Sequence, residues 1–341
     1  MITEELSIDQ RQWVFETIDG LDSSLVKKIS KLRIESSQRN FYRIFDDKET
    51  SYILMIVPDG IEESIESFCR KSEFLSSMDV KVPKVLSRNN DLGLLIVEDF
   101  GDNLYQFNLS KENADEYYKS AIDQIIKIQE SELNRSIFNE FDQNVFDQNW
   151  YMFQESFLEK LLHNKVSPET VKILKNKYNQ VCKEIDNHLK VICHYDFECR
   201  NIIFLESKEA GILDFQDAMI GSIGLDLASL FKDLYFFWPD KKIISWYEYF
   251  LKNSNLAKNN DIFLSDLIKM IDYSSIQRQF RILGKLSEVY LNLGRNNRLK
   301  DFPVLANYLI NTSKKYKEIN EIGACINSFL PILNKTIKEL S

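Results

Sequence analysis

The sequence predicts an α+β protein in two lobes, a small antiparallel β-sheet carrying one helix, followed by a large and mostly helical remainder. Three observations lead there. Between residues 31 and 98, runs rich in β-branched and aromatic residues follow one another in the order β-β-β-α-β-β. Beyond Gly101 the apolar residues change to helical spacing. That helical part is interrupted by one β-rich segment, VICHYDFECRNIIFLESKEAGILDF, residues 191–215.

Taken in order, Leu6, Trp13, Val14 and Ile18 stand at near-helical spacing ahead of Gly20, which predicts a first helix over 6–20. KLRIES, NFYRIFD and TSYILMIVP, parted by SQR and the acidic turn DKE, predict three successive strands. GIEESIESFCRKSEFLSSM puts Ile61, Ile65, Phe68 and Leu75 on one side of an amphipathic helix. KVLSR and LGLLIVE, joined by NND, complete the sheet. Residues 113–131, 144–162 and 167–189 are helical in period, the last opened by Ser167 and Pro168 as a cap and first turn. These readings set the expected organisation: 1–98 a sheet-plus-helix lobe, 99–104 a hinge, and 105–341 a helical lobe.

At 341 residues, 44% hydrophobic and 28% charged, the chain has the composition of an ordinary globular protein with room for one large core or two moderate ones. YILMIVP and LGLLIV are too short to span a bilayer, and MITEELSIDQRQ is too acidic and polar for a signal or transit peptide, so no membrane association and a cytoplasmic location are expected. A net charge of −9 without a long basic block argues against nucleic acid as a partner. The five cysteines have no repeated spacing and read as reduced thiols. A monomer acting on a small molecule is the expected state.

The β interruption carries the chemistry. HYDFECRN contains His194, Asp196 and Asn201 in the pattern H-x-D-x-x-x-x-N, and the hairpin that follows delivers Asp214 in DFQD. Phosphoryl transfer needs a carboxylate to accept or orient the attacking hydroxyl's proton, and hard oxygen ligands to hold Mg²⁺ on the phosphates. Asp196 suits the first task, and Asn201 with Asp214 the second. His194 suits a structural role in holding the loop. Asp226, opening a later helix, is placed to accept backbone N–H bonds from that loop. Cys193, His194 and Cys199 could instead be zinc ligands, but their spacing is not that of a zinc knuckle and no fourth ligand stands nearby.

The triplet Asp99-Phe100-Gly101 matches the metal-binding DFG of protein kinases, yet it precedes the H-x-D loop instead of following it. Its place between the lobes makes it a hinge, where Glu98, Asp99 and Phe100 would lie along an adenine. The nucleotide's phosphates have weaker signals, since there is no G-x-G-x-x-G and no P-loop. The loop ESSQRN offers Ser36, Ser37 and Arg39. The third strand has no lysine, and Arg43 on its neighbour is the nearest cation that could replace one.

With these pieces in place, the chain resembles the aminoglycoside phosphotransferase/choline kinase superfamily of protein-kinase-like folds. Within it, the chain is most similar to bacterial anomeric kinases of N-acetylmuramate and N-acetylglucosamine, which serve cell-wall (peptidoglycan) sugar recycling. SSQRNFYRIF, LLIVEDFG, CHYDFECRNIIF, GILDFQDAMIGSIGLDLASLFKDLYFFWP and IQRQFRILGKLSEVY carry the resemblance over nearly the full length. It implies ATP- and Mg²⁺-dependent phosphorylation of the C1 hydroxyl of an amino sugar, with Asp196 as base and Asn201 and Asp214 as metal ligands. Tyr195, Glu198 and Cys199 stand where relatives vary, and Ile56 where some carry an acid. For the acceptor, Arg200, Gln216, Asp217, Lys232, Gln277 and Arg278 are the polar candidates, with Trp238 as a surface for a sugar face. Choline, an aminoglycoside or another sugar are alternative acceptors, and a nucleotide-binding pseudokinase is a reading from another class.

Overall fold

A computed structural model describes residues 6–18, 29–32, 39–46, 48–58 and 63–340. The elements follow the expected order. They are α1 (Ile8–Thr17), β1 (Ile29–Lys31), β2 (Asn40–Phe45), β3 (Ser51–Ile56), α2 (Glu63–Ser77), β4 (Val85–Asn89), β5 (Leu94–Glu98), α3 (Tyr105–Asn108) and α4 (Ala114–Glu130). Then come α5 (Gln143–Met152), α6 (Pro168–Asp186), β6 (Lys190–Cys193), β7 (Ile202–Phe204), β8 (Ala210–Ile212) and β9 (Met219–Ser222). The chain closes with α7 (Gly224–Phe231), α8 (Asp240–Asn253), α9 (Asn255–Asn259), α10 (Leu264–Leu293), α11 (Phe302–Ser313) and α12 (Glu321–Leu340). It divides into two compact units, Met1–Gln124 with Arg200–Asp217, and Ile125–Cys199 with Ala218–Ser341.

In the first unit the sheet order is β1-β2-β3-β5-β4, antiparallel throughout. Helix α1 starts with a capping box: the Ser7 hydroxyl accepts from the Gln10 N–H, and the Gln10 side chain accepts from the Ser7 N–H. Its apolar face brings Val14 and Ile18 onto Tyr42, Ile44, Leu54, Leu94 and Ile96 of the sheet. Burial of each large apolar side chain there contributes about 1.5–3 kcal/mol. The expected end of this helix at Gly20 lies outside the described residues. Of the first strand expected over 31–36, residues 33–36 lie outside the described residues. Strand β1 occupies Ile29–Lys31, where Ser30 pairs with Arg43 and Lys31 with Tyr42.

The second unit is helical apart from the β6–β9 pair, which runs Lys190↔Ser222 to Cys193↔Met219. Ser167 caps α6 by accepting from the Thr170 N–H, with Pro168 in the first turn. The single helix expected over 144–162 changes at Phe153 into a π-helical stretch, Phe153–Leu161. The cause lies in α10. A Cβ at Gly284 would stand 2.7 Å from the Phe153 backbone nitrogen, so glycine permits an approach that the wider π turn accommodates. Around that crossing Trp150, Phe153, Tyr178 and Phe280 pack ring against ring, with centroids 4.7–6.1 Å apart. Among the described residues, no helix is long and apolar enough to cross a membrane.

Candidate active site

In the second unit, β6 ends at Cys193 and the chain turns at once into the H-x-D loop. Its backbone is pinned by Asp226, in the first turn of α7. One carboxylate oxygen accepts from the His194 N–H at 2.8 Å and the other from the Tyr195 N–H at 2.9 Å. Asp226 is fully buried, and that burial raises its pKa, while His194 and the two backbone donors work in the opposite direction. The role anticipated for this residue from its place at a helix start is thus present. His194 is buried with its ring edge-on to Phe197, centroids 5.5 Å apart. Tyr195 adopts φ 80°, in the left-handed region that costs a residue with a side chain roughly 1–3 kcal/mol and recurs at functional sites.

The carboxylate of Asp196 pairs with Arg281 of α10, through both terminal nitrogens of the guanidinium. One helical turn earlier Arg278 pairs with Glu198 at 2.7 Å, both side chains buried. Arg278 thereby offsets the charge that Glu198 brings to the loop. Asp233 accepts from the Cys199 N–H at 3.1 Å, and burial, with Glu198 nearby, raises its pKa. Cys193 and Cys199 are buried, the Cys193 thiol donating to the Ser222 carbonyl at 3.3 Å. Among the described residues no group of three His, Cys, Asp or Glu could hold a metal ion, so the zinc alternative has no site there.

The first unit holds the other half of the motif. β7 and β8 form a hairpin, Ile202↔Ile212, and the Leu213 N–H donates to the Asn201 carbonyl at 2.8 Å. This brings Asn201 and Asp214 to the same end of the hairpin. Asp214 is exposed, has φ 62°, and accepts from the Gln216 side-chain amide at 2.5 Å. Two hard oxygen donors at a turn suit Mg²⁺, which is held by one or two carboxylates together with phosphate oxygens and not by an all-protein cage. Phe215 is buried against Phe68 of α2, centroids 4.7 Å apart. Lys71, one turn further along α2 and only 5% exposed, donates to the Gln216 carbonyl at 2.5 Å. Burial lowers its pKa, and Asp217 opposes that shift. Arg39 is also held in this neighbourhood: burial lowers its pKa while Asp214 and Asp217 raise it.

After β5, Arg43 donates to both oxygens of Asp99, at 2.5 and 3.1 Å, and to Asp102 at 2.7 Å. Asp99 also accepts from the Gly101 N–H at 2.9 Å, and Gly101 has φ 81°. Arg43 therefore ties β2 to the segment that follows β5, an ion-pairing role different from the phosphate contact anticipated for it. The Glu98 N–H donates to the Lys84 carbonyl at 3.0 Å. The Phe100 ring rests on Gly211 of β8, where a Cβ would come within 2.6 Å of it. Ser36 and Ser37 lie outside the described residues.

Of the acceptor candidates, Arg200 is half-buried in the short turn Cys199–Asn201, and Gln216 and Asp217 are on the DFQD turn. Lys232 follows α7 with its ammonium 3.9 Å from Asp272. Gln277 is 1% exposed and points its amide at the Tyr178 hydroxyl, 3.4 Å away. Arg278 is taken up by Glu198. Trp238 packs edge-on to Trp246 at 5.7 Å and over Phe236 at 6.2 Å. Two residues, one in each unit, escaped the sequence reading. Lys71 is three residues after Phe68 on the inward stripe of α2, and a lysine in that stripe was the available signal. Arg281 stands three residues after Arg278 in QRQFR, on the same helical face.

A model of the phosphotransferase enzyme family matches residues 28–257. The N-acetylmuramate/N-acetylglucosamine kinase of Pseudomonas aeruginosa is 25% identical over 296 residues, which is 86% of this chain and 87% of that protein. Among solved structures, ADP-bound aminoglycoside phosphotransferase APH(2'')-Ib superposes with a TM-score of 0.62 at 14% identity, over 93% of this chain and 99% of the other. Choline kinase LicA from Streptococcus pneumoniae superposes with a TM-score of 0.60 at 11% identity, over 96% and 100%. The fold is the kinase-like α+β fold of these proteins.

Proposed function

The chain belongs to the phosphotransferase enzyme family and is a small-molecule kinase, and from that premise we propose that it transfers the γ-phosphate of ATP to the anomeric C1 hydroxyl of an amino sugar, N-acetylmuramate, N-acetylglucosamine or both. The observation that carries the reading is the H-x-D loop, its backbone clamped by Asp226 and its Asp196 carboxylate set by Arg281. The kinase of Pseudomonas aeruginosa bears the name of the same pair of sugars, which supports the choice of acceptor. The ADP held by a structural neighbour supports an adenine nucleotide as donor. A place in cell-wall sugar recycling, in the cytoplasm and as a monomer, follows from the same reading. So does the division into a nucleotide lobe over 1–98, a hinge over 99–104 and a helical acceptor lobe over 105–341.

In this mechanism Asp196 accepts a hydrogen bond from the C1 hydroxyl and takes its proton as the oxygen attacks the γ-phosphorus. The bond from that phosphorus to the bridging oxygen breaks, and ADP leaves with the electron pair. The transition state is loose, so orientation and charge stabilisation matter more than strong basicity. Asp214 and Asn201 would hold Mg²⁺, which when bound neutralises charge on the phosphate oxygens. Lys71 and Arg39 supply cationic charge on the nucleotide side, Lys71 taking the place of the lysine that β3 lacks. Arg200, Gln216, Asp217 and Lys232 are the polar groups left for the acceptor.

An ADP-release assay with ATP, Mg²⁺ and a panel of both sugars, choline and an aminoglycoside tests the proposal, with ³¹P NMR of the product. A sugar 1-phosphate is expected. Turnover of choline or the aminoglycoside alone would move the acceptor to that class, a reading the solved neighbours favour. Asp196→Asn is expected to reduce kcat by about a thousandfold, and full activity in that variant overturns the mechanism.

A further inference from the structure

We infer that Arg281 is the positioning residue for Asp196, fixing the orientation in which its carboxylate meets an acceptor hydroxyl. The inference rests on the reading of Asp196 given above and adds to it a residue and a role.

The geometry is that of a fork on a platform. Both terminal nitrogens of the Arg281 guanidinium face the two oxygens of Asp196. The face of the same guanidinium lies on the ring of Tyr195, its central carbon 4.2 Å from the ring centroid. That ring is itself immobilised. The Tyr195 N–H is held by Asp226, its hydroxyl accepts from the Asn149 amide at 3.3 Å, and its ring packs 5.6 Å from that of Phe141. A planar cation with one face on a fixed ring is set in its plane, and a two-pronged contact passes that orientation to the carboxylate.

The contact is also built against cost. Burial works against the charge of Arg281, while Asp196 foremost, then Tyr195 and Glu198, hold it firmly protonated. The charged and titratable groups around Asp196 are Arg281 from α10, Asp226 from the start of α7, and His194, Tyr195 and Glu198 on its own loop. A cation in contact makes a carboxylate a weaker base and keeps it ionised to lower pH. For a loose phosphoryl transfer, which asks for orientation first, that exchange is favourable.

The test uses the full-length enzyme and the panel acceptor it turns over fastest, with Arg281→Gln, Arg281→Lys and Asp196→Asn side by side. Arg281→Gln is expected to lower kcat about a hundredfold, the cost of a misplaced group. It should leave the KM for ATP within about twofold and move the acidic limb of the kcat/KM profile to higher pH. Arg281→Lys keeps the charge without the fork, so the acidic limb should stay in place while kcat falls about tenfold. Thermal melting of each variant reports folding, and Arg281→Lys stands in if Arg281→Gln does not fold. An inactive Asp196→Asn beside arginine variants with parental kcat and pH profile overturns the role of Arg281 alone. So does a loss confined to melting temperature with parental kcat per folded molecule. A fully active Asp196→Asn overturns the reading of Asp196 and this inference with it.

Discussion

Two Asp-Phe pairs lie in the first unit, at residues 99–100 and 214–215, and they have opposite surroundings. Asp99 is enclosed, its side chain 3% exposed and bound by Arg43 and by the Gly101 N–H. Asp214 is exposed, strained at φ 62°, and contacted on one oxygen by an amide. Phe100 sits against the glycine of a hairpin strand, while Phe215 is locked to Phe68 of α2. The first pair has the three letters of the kinase metal motif, and its carboxylate is already neutralised. The second lacks the glycine, and its carboxylate has the open coordination that a metal–phosphate site needs. A motif is identified by what surrounds its atoms more than by its letters.

Exchanging Asp for Asn at each pair is the sharpest way to break this comparison. Asp214→Asn is expected to cost several kcal/mol of transition-state charge stabilisation, about a thousandfold in kcat, with the melting temperature little changed. Asp99→Asn should do the reverse, lowering stability by about 2–3 kcal/mol because Arg43 loses its buried partner, while activity per folded molecule stays near the parent's. Urea titration and ADP release on the same preparations separate the two outcomes. Equal catalytic losses would show that the pairs are not distinct.

A smaller effect is expected at Lys71. Lys71→Met should raise the KM for ATP about tenfold, the value of one charge-assisted hydrogen bond, and leave the KM for the acceptor alone. Initial rates with each substrate varied in turn read this directly. The smallest effect belongs to the Phe100 side. Gly211→Ala pushes a methyl into that ring and should lower stability by about 1 kcal/mol in a denaturant titration, with kcat unchanged.

Much of this was legible in the residues. The β-β-β-α-β-β order follows from period and turn chemistry, both local properties, and so does the Ser167–Pro168 helix start. The H-x-D-x-x-x-x-N spacing and the hairpin to Asp214 are local too, as is the helix-start position of Asp226. The ion pairs were not legible. Arg43 meets Asp99 across 56 positions of chain, Arg278 meets Glu198 across 80, and Arg281 meets Asp196 across 85. Sequence gives such residues a charge but no partner, which is why Arg43 looks from its strand position like a replacement for the lysine that β3 lacks. Lys71 escaped because a lysine amid acidic helix residues reads as solvated until the packing of Phe68 on Phe215 shows which way that face turns. The change of α5 into a π turn was hidden for the same reason, since its cause is a glycine 131 positions away from Phe153 on α10.

The two arginines of α10 make that helix a ruler. Residues three apart rise about 4.5 Å along the axis and stay on one face, and Arg278 and Arg281 at that interval meet alternate carboxylates of the loop, Glu198 and Asp196. A single residue inserted between them would turn one arginine away by about 100° while leaving composition and charge unchanged. The stretch Arg278–Arg281 should therefore tolerate exchanges of its intervening residues far better than any change in its length. In a chain copied with errors, the number of residues between two charges can be kept more strictly than the residues themselves.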